Sequence, residues 1–390
     1  MKWEKVKLGD ICKYVTSGGT PKSSIKEYYE PKQIPWLKTK EVNYCRIYET
    51  ESYISKDGLD NSSAKMIPQN SVIVAMYGQG DTAGRVATNK IPLTTNQACC
   101  NLIIDETKAY YEFVYYQLVT LYEKMVSLKN GGAQPNLNAA IIKSIEIKLP
   151  PLKTQRYIAD ILSSYDNLIE NNQKQIKLLE EAAQRLYKEW FVDLRFPGHE
   201  NTEIVDGVPE GWKKERLVDI AEIQYGYAFD GTLFNADKNG TPIIRIRNIP
   251  QAETMDYTTE HVSENYLVQN GEIIVGMDGE FHINAWAGNT AYLVQRVCCI
   301  RPKNTEIKGW LLQAIYEPIK FFEHTVVGAT VSHLGKKHLD SIYLLTSPEE
   351  FYEPFKTFFD KRLLLMNQDR KLREARDRLL PKLMSGKVKV

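Results

Sequence analysis

The chain has 390 residues, 43% of them hydrophobic and 25% charged, which is typical of a globular protein with about two or three domains. No apolar run approaches the roughly 18 residues needed to span a bilayer, and early charges interrupt any signal-peptide pattern, so the sequence predicts a cytoplasmic protein with no membrane partner. The net charge of +1 counts against a uniformly basic nucleic-acid binder but permits a local basic face.

The first distinctive element in chain order is a polar loop near residue 20. Small hydroxyls, backbone N–H groups and a cation suit phosphate oxygens. Any one of these residues alone is as readily explained by an ordinary solvated loop. Taken together they predict DNA contacts by Thr16, Ser17, Gly18, Gly19, Thr20 and Lys22.

Two predicted strands follow, and each ends in polar residues. The apolar step at residues 34–37 ends in Lys38, with Lys40 beyond it, and the strand at residues 71–76 ends in Tyr77 and Gln79. Lysine and glutamine are among the side chains that contact base edges in the major groove. We therefore add these four residues to the candidate DNA contacts, and we expect a helical segment at residues 110–128.

A long helix is predicted from residue 154 to about residue 192, where neither proline nor glycine occurs. Apolar residues recur in heptads, with one polar position, Asn172, of the kind that fixes register at some cost in stability. The predicted seam comprises Ile158, Tyr165, Asn172, Leu179 and Leu186, then Ile161, Leu168, Gln175 and Ala182, interleaved with Leu162, Ile169, Ile176 and Ala183.

The second half of the chain repeats the first, and such repeats decide architecture. Trp212, Leu217, Asp219 and Ile220 repeat the spacing of Trp3, Leu8, Asp10 and Ile11. The strand at residues 273–279 repeats residues 72–78, and Cys298-Cys299 is aligned with Cys99-Cys100. The anchors persist while the loops differ, as expected if one scaffold reads two sequences. The matching candidates for DNA contact are Tyr225, Tyr227, Arg245, Arg247, Asn248, Asp278 and Asn284.

A second long helix is predicted from about residue 348 to residue 379, with its own heptad seam at Phe358, Leu365, Leu372 and Leu379, widened by Phe355, Leu364 and Ala375. Neither helix can bury its seam alone, so the simplest solution is an antiparallel pair within the chain. Two alternatives remain open: each helix packs on its own domain, or the helices form homodimers. The helix residues we expect to serve pairing and partner binding are Asn172, Leu179, Leu186, Leu365, Leu372 and Leu379.

The sequence therefore predicts an α+β protein, with two pseudo-repeated mixed α/β DNA-reading domains separated by an antiparallel two-helix coiled coil. The predicted segments are recognition domain 1 (1–150), spacer helix 1 (151–197), recognition domain 2 (198–347) and spacer helix 2 (348–390).

No catalytic or metal-binding pattern is present in the sequence. The segment Leu149-Pro150-Pro151-Leu152 lacks both flanking residues of an amino-methyltransferase motif, and the glycines at 78, 80 and 84 have the wrong spacing for a dinucleotide loop. The six histidines are scattered and the adjacent cysteines read as buried apolar residues, so we predict no metal site. The chain is predicted to be a binder rather than an enzyme.

The chain resembles the specificity subunit of type I restriction–modification systems over essentially its full length. The residues that carry the resemblance are Trp3-x4-Leu8-Gly9-Asp10-Ile11, Ser17-Gly18-Gly19-Thr20-Pro21, Leu149-Pro150-Pro151-Leu152-x2-Gln155-Arg156-x-Ile158, Asp166-x2-Ile169-Glu170-x-Asn172, Leu186-Tyr187-Lys188-Glu189-Trp190-Phe191, Pro209-Glu210-Gly211-Trp212 and Leu379-Leu380-Pro381-Lys382-Leu383-Met384-Ser385-Gly386. The second half departs from the pattern, because it lacks the Ser-Gly-Gly-Thr-Pro element.

The resemblance implies a non-catalytic subunit in which two target recognition domains each read one half of a split, asymmetric site in double-stranded DNA. It also implies two methyltransferase subunits and further translocase/nuclease restriction subunits as partners. The subunit would hold no cofactor of its own, and S-adenosylmethionine, ATP and magnesium would belong to those partners. The competing interpretation is a coiled-coil interaction protein without a nucleic-acid role, which the neutral net charge favours.

Overall fold

The structure is a computed structural model that describes residues 3–129, 136–325 and 332–387. Contacts within the chain group it into two compact units, which we call unit 1 (Met1–Asn167 with Glu374–Val390) and unit 2 (Leu168–Arg373). Both long helices therefore contribute to both units. The division into four segments at residues 150, 197 and 347 stays a prediction. Among the described helices, none combines the length and apolar character that crossing a membrane requires.

Unit 1 is built from short strands and short helices that precede the first long helix. Its strands are β1 (Glu4–Lys7), β2 (Cys12–Ser17), β3 (Ile34–Leu37), β4 (Arg46–Ile47), β5 (Tyr53–Ile54), β6 (Met66–Ile67), β7 (Val72–Ala75), β8 (Val86–Asn89), β9 (Leu93–Thr95), β10 (Cys99–Ile104) and β11 (Glu146–Leu149). Its helices are α1 (Lys56–Asp60), α2 (Tyr111–Thr120), α3 (Tyr122–Ser127), α4 (Ala139–Ser144) and the first part of α5 (Leu152–Tyr187).

The sheets of unit 1 form around strands that are buried on both faces. Every residue of β7 and β10 is buried, and both segments are apolar in the sequence except at Asn101. They lie in a five-stranded sheet of order β2-β10-β7-β8-β4, while a second sheet has the order β5-β3-β9-β6 and β1 pairs with β11. In the second sheet β3 and β9 run parallel. The helical segment expected at residues 110–128 is present as α2 and α3.

Unit 2 repeats this arrangement. Its strands are β12 (Ile204–Val205), β13 (Val208–Pro209), β14 (Lys213–Arg216), β15 (Ala221–Tyr225), β16 (Phe234–Asn235), β17 (Thr241–Ile244), β18 (Tyr257–Thr258), β19 (Leu267–Val268), β20 (Ile273–Gly276), β21 (Ile283–Ala285), β22 (Ala291–Leu293), β23 (Val297–Pro302) and β24 (Tyr343–Thr346). Its helices are α6 (Leu217–Ile220), α7 (Lys308–Ala314), α8 (Tyr316–Thr325), α9 (Lys336–Asp340) and the first part of α10 (Glu353–Met384).

The two units share one strand topology. The order β15-β23-β20-β21 matches β2-β10-β7-β8, the order β18-β17-β22-β19 matches β5-β3-β9-β6, and β14 pairs with β24 as β1 pairs with β11. The parallel pair β3 and β9 has its counterpart in the parallel pair β17 and β22. Individual hydrogen bonds also repeat: Leu8 N donates to Ile145 O at 2.9 Å, and Leu217 N donates to Ile342 O at 2.9 Å. The predicted internal duplication is therefore confirmed.

The two cysteine pairs, however, are not equivalent in the way the sequence alignment suggested. Cys100 lies opposite Val74 of β7, and Cys298 lies opposite Val275 of β20. Because Val74 and Val275 correspond, Cys100 matches Cys298 and the predicted pairing is wrong by one residue. Cysteine and valine are similar in size, and either fits in a buried strand. Aligning the two halves by their cysteines therefore gave the wrong pairing. Burial raises the pKa of Cys100 and of Cys298 to about 12, and all six cysteines are free thiols.

The two long helices pair with each other inside the chain. In unit 2, Asn172 Nδ2 donates to Asp369 Oδ1 at 2.8 Å and Arg362 Nε donates to Glu180 Oε1 at 2.6 Å. Partner numbers fall as α5 numbers rise, so this part of the pair is antiparallel. In unit 1, Arg376 Nη1 donates to Asp166 Oδ1 at 2.6 Å. The intrachain antiparallel pair is confirmed, with α5 ending in a π-turn at Lys188–Val192.

The buried stripe of α5 includes the predicted polar position, Asn172. Of the two other predicted sets, which lie three and four residues after each seam position, it includes only the second. Asn172 is buried, as are Ile158, Leu162, Ile169 and Ala183, whereas Leu179 and Leu186 are half-buried. Leu168 is 48% exposed and Gln175 is exposed, while Ile161 and Ala182 are half-buried, so no member of the set three residues after the seam is fully buried. The buried stripe is thus formed by the seam and by the set of residues that lies four positions after it.

The heptad register predicted for α10 is wrong. Leu365, Leu372 and Leu379 are only half-buried and Leu364 is 67% exposed. The buried positions are Phe355, which was predicted, and six that were not: Phe359, Arg362, Asp369, Leu380, Leu383 and Met384. Hydrophobicity alone missed this stripe because its centre is polar, and its charged side chains are buried only where the first helix or a loop supplies partners.

Candidate nucleic-acid interface

In unit 1, four loops meet where the parallel strands β3 and β9 end. The residue after β9, Asn96, donates its N–H to Leu37 O at 2.9 Å, which places it beside Lys38. The turn at residues 96–98 joins β9 to β10, and Ala98 O accepts from Met76 N at 2.8 Å, which brings Tyr77 alongside. We call residues 16–22, 38–40, 77–79 and 96–98 edge 1. The structure therefore brings together all the unit 1 residues predicted to contact DNA.

Gly18 and Gly19 position this edge. A Cβ on Gly18 would lie 2.1 Å from Thr95 O, and a Cβ on Gly19 would lie 2.3 Å from Ala64 N, so no larger residue fits at either place. Both glycines are buried, and their N–H groups donate to Cys99 O (3.2 Å) and Thr95 O (2.9 Å). These N–H groups are already used inside the protein, so the two glycines shape the loop while its exposed neighbours face solvent.

Thr20 and Lys22 are the exposed members of the first loop. Thr20 Oγ1 is hydrogen-bonded to Gln97 Oε1, which ties the loop to the turn at residues 96–98. Thr16 and Ser17 are half-buried at the end of β2, and Lys65 Nζ lies 3.4 Å from Thr16 Oγ1. The loop thus presents hydroxyls and cations side by side.

The cations after β3 are held in different ways. Lys38 Nζ lies 5.1 Å from the ring centroid of Trp36, and its N–H donates to Glu41 Oε1 at 2.9 Å. Lys40 is exposed and forms an ion pair with Glu51, and its pKa is raised mainly by that hydrogen bond. An exposed ion pair of this kind contributes little to stability in water, so a phosphate can replace Glu51 as the partner of Lys40 with little loss of free energy.

Tyr77 and Gln79 end the strand beside this turn. Tyr77 is half-buried, and burial raises the pKa of its phenol, so it stays a neutral hydrogen-bond donor at physiological pH. Gln79 is exposed, and its carbonyl accepts from Thr82 Oγ1 at 2.7 Å. Among the residues described, no side chain is hydrogen-bonded to the side chain of Gln79. Its direction is therefore set by the backbone of the tight turn.

In unit 2 the corresponding loops meet in the same way. We call residues 225–227, 245–248, 278 and 294–296 edge 2. Val294 N donates to Ile244 O at 3.3 Å, and Met277 N donates to Arg296 O at 2.8 Å. These bonds repeat those made by Asn96 and Met76 in edge 1. The turn at residues 294–296 therefore corresponds to the turn at residues 96–98.

Gly226 is the counterpart of Gly18, although the Ser-Gly-Gly-Thr-Pro element is absent from the second half. A Cβ on Gly226 would lie 2.2 Å from Val294 O, and its N–H donates to Val297 O at 3.0 Å. The flanking Tyr225 and Tyr227 are half-buried; Tyr227 lies 5.0 Å from Phe229 and 5.2 Å from Tyr266, ring to ring. Burial raises the pKa of Tyr225 to about 12.

The cations of edge 2 repeat those of edge 1. Arg245 lies 5.6 Å from the ring of Phe234, and its N–H donates to Asn248 Oδ1 at 2.8 Å, as Lys38 N does to Glu41. Arg247 has 62% of its side chain exposed and pairs with Asp256. Arg245 and Arg247 therefore stand in the places of Lys38 and Lys40.

Two further candidates have internal roles. Asn284 is 7% exposed; its Nδ2 donates to Ile249 O at 3.0 Å, and its Oδ1 accepts from Arg362 Nη2 at 2.7 Å. The structure thus gives Asn284 a place in the interior, where it cannot reach a ligand without rearrangement. Asp278 has 11% of its side chain exposed and is hydrogen-bonded to Arg296 and His333. Burial opposes its ionisation, but these two partners outweigh that effect and lower the pKa of Asp278.

The sequence prediction missed the turn residues Gln97, Gln295 and Arg296, all exposed. The only available signal was their position directly before a buried strand in both halves. Within the described ranges, no group of three or more His, Cys, Asp or Glu side chains is arranged to hold a metal ion.

A family model described as the type I restriction modification DNA specificity domain matches residues 1–181 and 209–350. The chain belongs to this family. The two matched segments fall in the two halves of the internal repeat. Recognition as a DNA-specificity subunit of a type I restriction–modification system, rather than as an enzyme, is therefore confirmed.

Individual relatives agree over the full length. The MjaIX specificity subunit of Methanocaldococcus jannaschii is 28% identical and is aligned with all of this chain and 94% of its own length. The HindI specificity subunit of Haemophilus influenzae is 21% identical, with 99% of each chain covered. The crystal structure of an S subunit from M. genitalium covers 98% of this chain and 96% of its own, with 16% identity and a TM-score of 0.62, which confirms the predicted fold class.

Proposed function

We propose that edge 1 and edge 2 each read one half of a split, asymmetric site in double-stranded DNA. The observation that carries this proposal is that both edges share one backbone framework yet present different side chains. Gly18 and Gly226, for example, make the same close approach, while their exposed neighbours differ. A scaffold kept constant under variable side chains is what reading two unlike half-sites requires, since base edges are distinguished by side-chain donors and acceptors.

The charges of the edges support phosphate contacts on a chain that is neutral as a whole. Edge 1 carries Lys22, Lys38 and Lys40, with Lys65 beside Thr16, and edge 2 carries Arg245, Arg247 and Arg296. Phosphate contacts by such cations position a protein on the duplex, whereas contacts to the base edges carry sequence information. We therefore assign the turn residues, including Arg296, to the bases and the other cations of the two edges to the phosphate backbone.

The partners follow from the family. Relatives are named as specificity subunits of type I restriction enzymes, which supports assembly of this chain with the other subunits of such an enzyme. We assign two methyltransferase subunits and the restriction subunits to this assembly. S-adenosylmethionine, ATP and magnesium are assigned to those partners, and the methylated base would be flipped out of the stack by the methyltransferase.

The test is selection of bound duplexes from a randomised double-stranded library, with the full chain and its methyltransferase subunits present. We expect two recurring sequence blocks separated by unspecified base pairs. Replacing Lys38 and Arg245 together by glutamine should lower affinity for every duplex and reduce the slope of log K against log salt by about 0.9 for each phosphate that the variant no longer neutralises. Glu49→Gln, an exposed position outside both edges, is the control. Equal binding to selected and scrambled duplexes would refute the proposal and favour the coiled-coil interaction protein.

We also propose that the helix pair sets the number of unspecified base pairs. Inserting four residues beside Asn172 in α5 and four beside Asp369 in α10 keeps the bond between Arg362 and Glu180 in register, whereas an insertion in α5 alone does not. Four helical residues add about 6 Å, or roughly two base pairs at 3.4 Å each. The matched insertion should lengthen the selected spacer and leave both half-sites unchanged. Altered half-sites would contradict this role.

A further inference from the structure

The turns at residues 96–98 and 294–296 occupy the same place in the two units. Each follows one strand of the parallel pair in its sheet, and each accepts a hydrogen bond from the residue directly after the neighbouring buried strand, Met76 or Met277. Each turn is held by a glycine whose Cβ would collide with it. The backbone of both turns is therefore fixed, while the side chains of Gln97 and Arg296 are exposed.

We infer, resting on the proposed function, that these two turns carry the base-reading side chains: Gln97 reads an adenine in the half-site of unit 1, and Arg296 reads a guanine in the half-site of unit 2. Thr20 and Asp278 are positioning residues that orient them. Neither turn residue was among the DNA contacts predicted from the sequence.

Gln97 is oriented by one specific bond. The hydroxyl of Thr20 donates to Gln97 Oε1, which fixes the amide plane and leaves the second lone pair of Oε1 free. Nε2 of Gln97 donates to no group in the part of the chain that the structure describes. One acceptor and one donor in a fixed plane match the N6 amino group and N7 of adenine, which present a donor and an acceptor in the major groove.

Arg296 is oriented by a buried carboxylate. Its Nη1 is bonded to Asp278, whose side chain is 11% exposed and is also held by His333 Nδ1. The side chain of Arg296 is 63% exposed, and its Nε and Nη2 have no partner among the residues described. Those two donors match O6 and N7 of guanine, the commonest bidentate contact in the major groove.

The backbone at Arg296 supports the assignment. Its φ is +69°, in the left-handed region that residues other than glycine rarely adopt. Such conformations persist where the surrounding structure holds them and cluster at functional sites. The bond from Met277 N to Arg296 O and the contact with Asp278 hold this one, so the side chain is delivered to the edge by a fixed turn.

The experiment compares base preferences of variants of the full chain with its methyltransferase subunits. Duplexes selected from the randomised library are sequenced, and each base pair of the wild-type site is then replaced singly in binding titrations. Gln97→Ala should lose discrimination at one A·T pair of one half-site by about 5- to 150-fold. Arg296→Lys, which keeps the charge, should lose a similar factor at one G·C pair of the other half-site.

Positioning residues should give a weaker version of the same pattern. Thr20→Val should reduce discrimination at the same A·T pair as Gln97→Ala, and Asp278→Asn at the same G·C pair as Arg296→Lys. Gln69→Ala is the matched control for the amide, since Gln69 is exposed beyond β6 at the opposite end of the sheet. Arg216→Ala is the control for the ion-paired arginine, because Arg216 pairs with Asp219 at the far end of β15.

The outcomes separate this inference from the function on which it rests. If both variants keep wild-type preferences at every position while the chain still selects a split site, the inference is overturned and the proposed function stands. If the wild-type chain selects no site, the proposed function itself fails. Loss of affinity that is uniform over all duplexes would make Gln97 and Arg296 phosphate contacts and would also overturn the inference.

Discussion

The close approach of Gly18 to the turn at residues 96–98 gives a sharp test of how edge 1 is built. In Gly18→Ala the new Cβ would lie 2.1 Å from Thr95 O and 2.3 Å from Asn96 O, about 1.3 Å short of the 3.4 Å at which ordinary contact begins. Both obstacles are backbone atoms, so no side-chain rotation relieves the clash. We expect β2 to separate from the end of β9.

The magnitude follows from what that separation breaks. A shift of about 1.3 Å is enough to break the bonds from Gly18 N to Cys99 O (3.2 Å) and from Gly19 N to Thr95 O (2.9 Å). Two net hydrogen bonds are worth about 1–3 kcal/mol, and overpacking costs about 1–3 kcal/mol more. The variant should therefore lose about 2–6 kcal/mol of local stability, and DNA discrimination in the half-site of unit 1 should fall with it.

Amide hydrogen exchange measured by mass spectrometry suits this test, because it reports local opening in a chain of two units. Peptides covering β9 and β10 should exchange about 30-fold faster or more in Gly18→Ala, while those covering β22 and β23 should not change. Gly226→Ala, with its Cβ 2.2 Å from Val294 O, should give the reverse pattern. Gly231→Ala, where a Cβ meets nothing within 4 Å, is the control. If Gly18→Ala exchanges like Gly231→Ala, the proposed role of the close approach is wrong.

Three further predictions concern the interior. Glu112 is buried beside Lys90 (2.9 Å) and Arg46 (3.6 Å), so Glu112→Gln should remove the carboxylate that both cations face and lower the free energy of unfolding by about 3–5 kcal/mol in urea titrations; a loss under 1 kcal/mol would contradict this. Burial opposes ionisation of Glu112, but the two cations outweigh it and lower its pKa, so its contribution is present above pH 4.5 and should be lost as the pH falls through the lowered value. Thermal unfolding between pH 3 and 6 should depend on pH more steeply in wild type than in Glu112→Gln. Because the pKa values of Cys100 and Cys298 are about 12, iodoacetamide at pH 8 should leave both unmodified until urea unfolds the chain; labelling of the native chain would argue against their burial.

The sequence could predict elements whose signal is local or repeated. A buried strand such as β7 is a continuous apolar run, and the recurrence of Trp212, Leu217 and Asp219 indicates the duplication by itself. The helix pair was predicted from the heptads of both long helices, and the seam position of Asn172 from those of α5. In α10 the same method failed, because the buried stripe contains Arg362 and Asp369, whose burial depends on partners elsewhere in the chain.

The glycines show the same division between what a pattern can and cannot reveal. Gly18 stands in a recognisable Ser-Gly-Gly-Thr-Pro element, whereas Gly226 stands between two tyrosines and carries no motif. Both nevertheless make a close approach to the same carbonyl of the repeated turn. At both places two backbone segments lie so close together that only glycine fits between them. In the sequence, the glycine is the only sign of that short distance.

Asp278 shows why the roles of side chains at the two edges could not be predicted from the sequence alone. The sequence placed this residue among the candidate DNA contacts because it ends a strand that matches the strand ending in Tyr77. A carboxylate facing phosphates would be repelled, yet here it is buried and bonded to Arg296 and His333. Its charge is therefore balanced within the protein, and it fixes the direction of a cation that is itself exposed. An acidic residue at an edge that we propose to face DNA is then compatible with binding, because in this proposal it acts on the nucleic acid only through the arginine it holds.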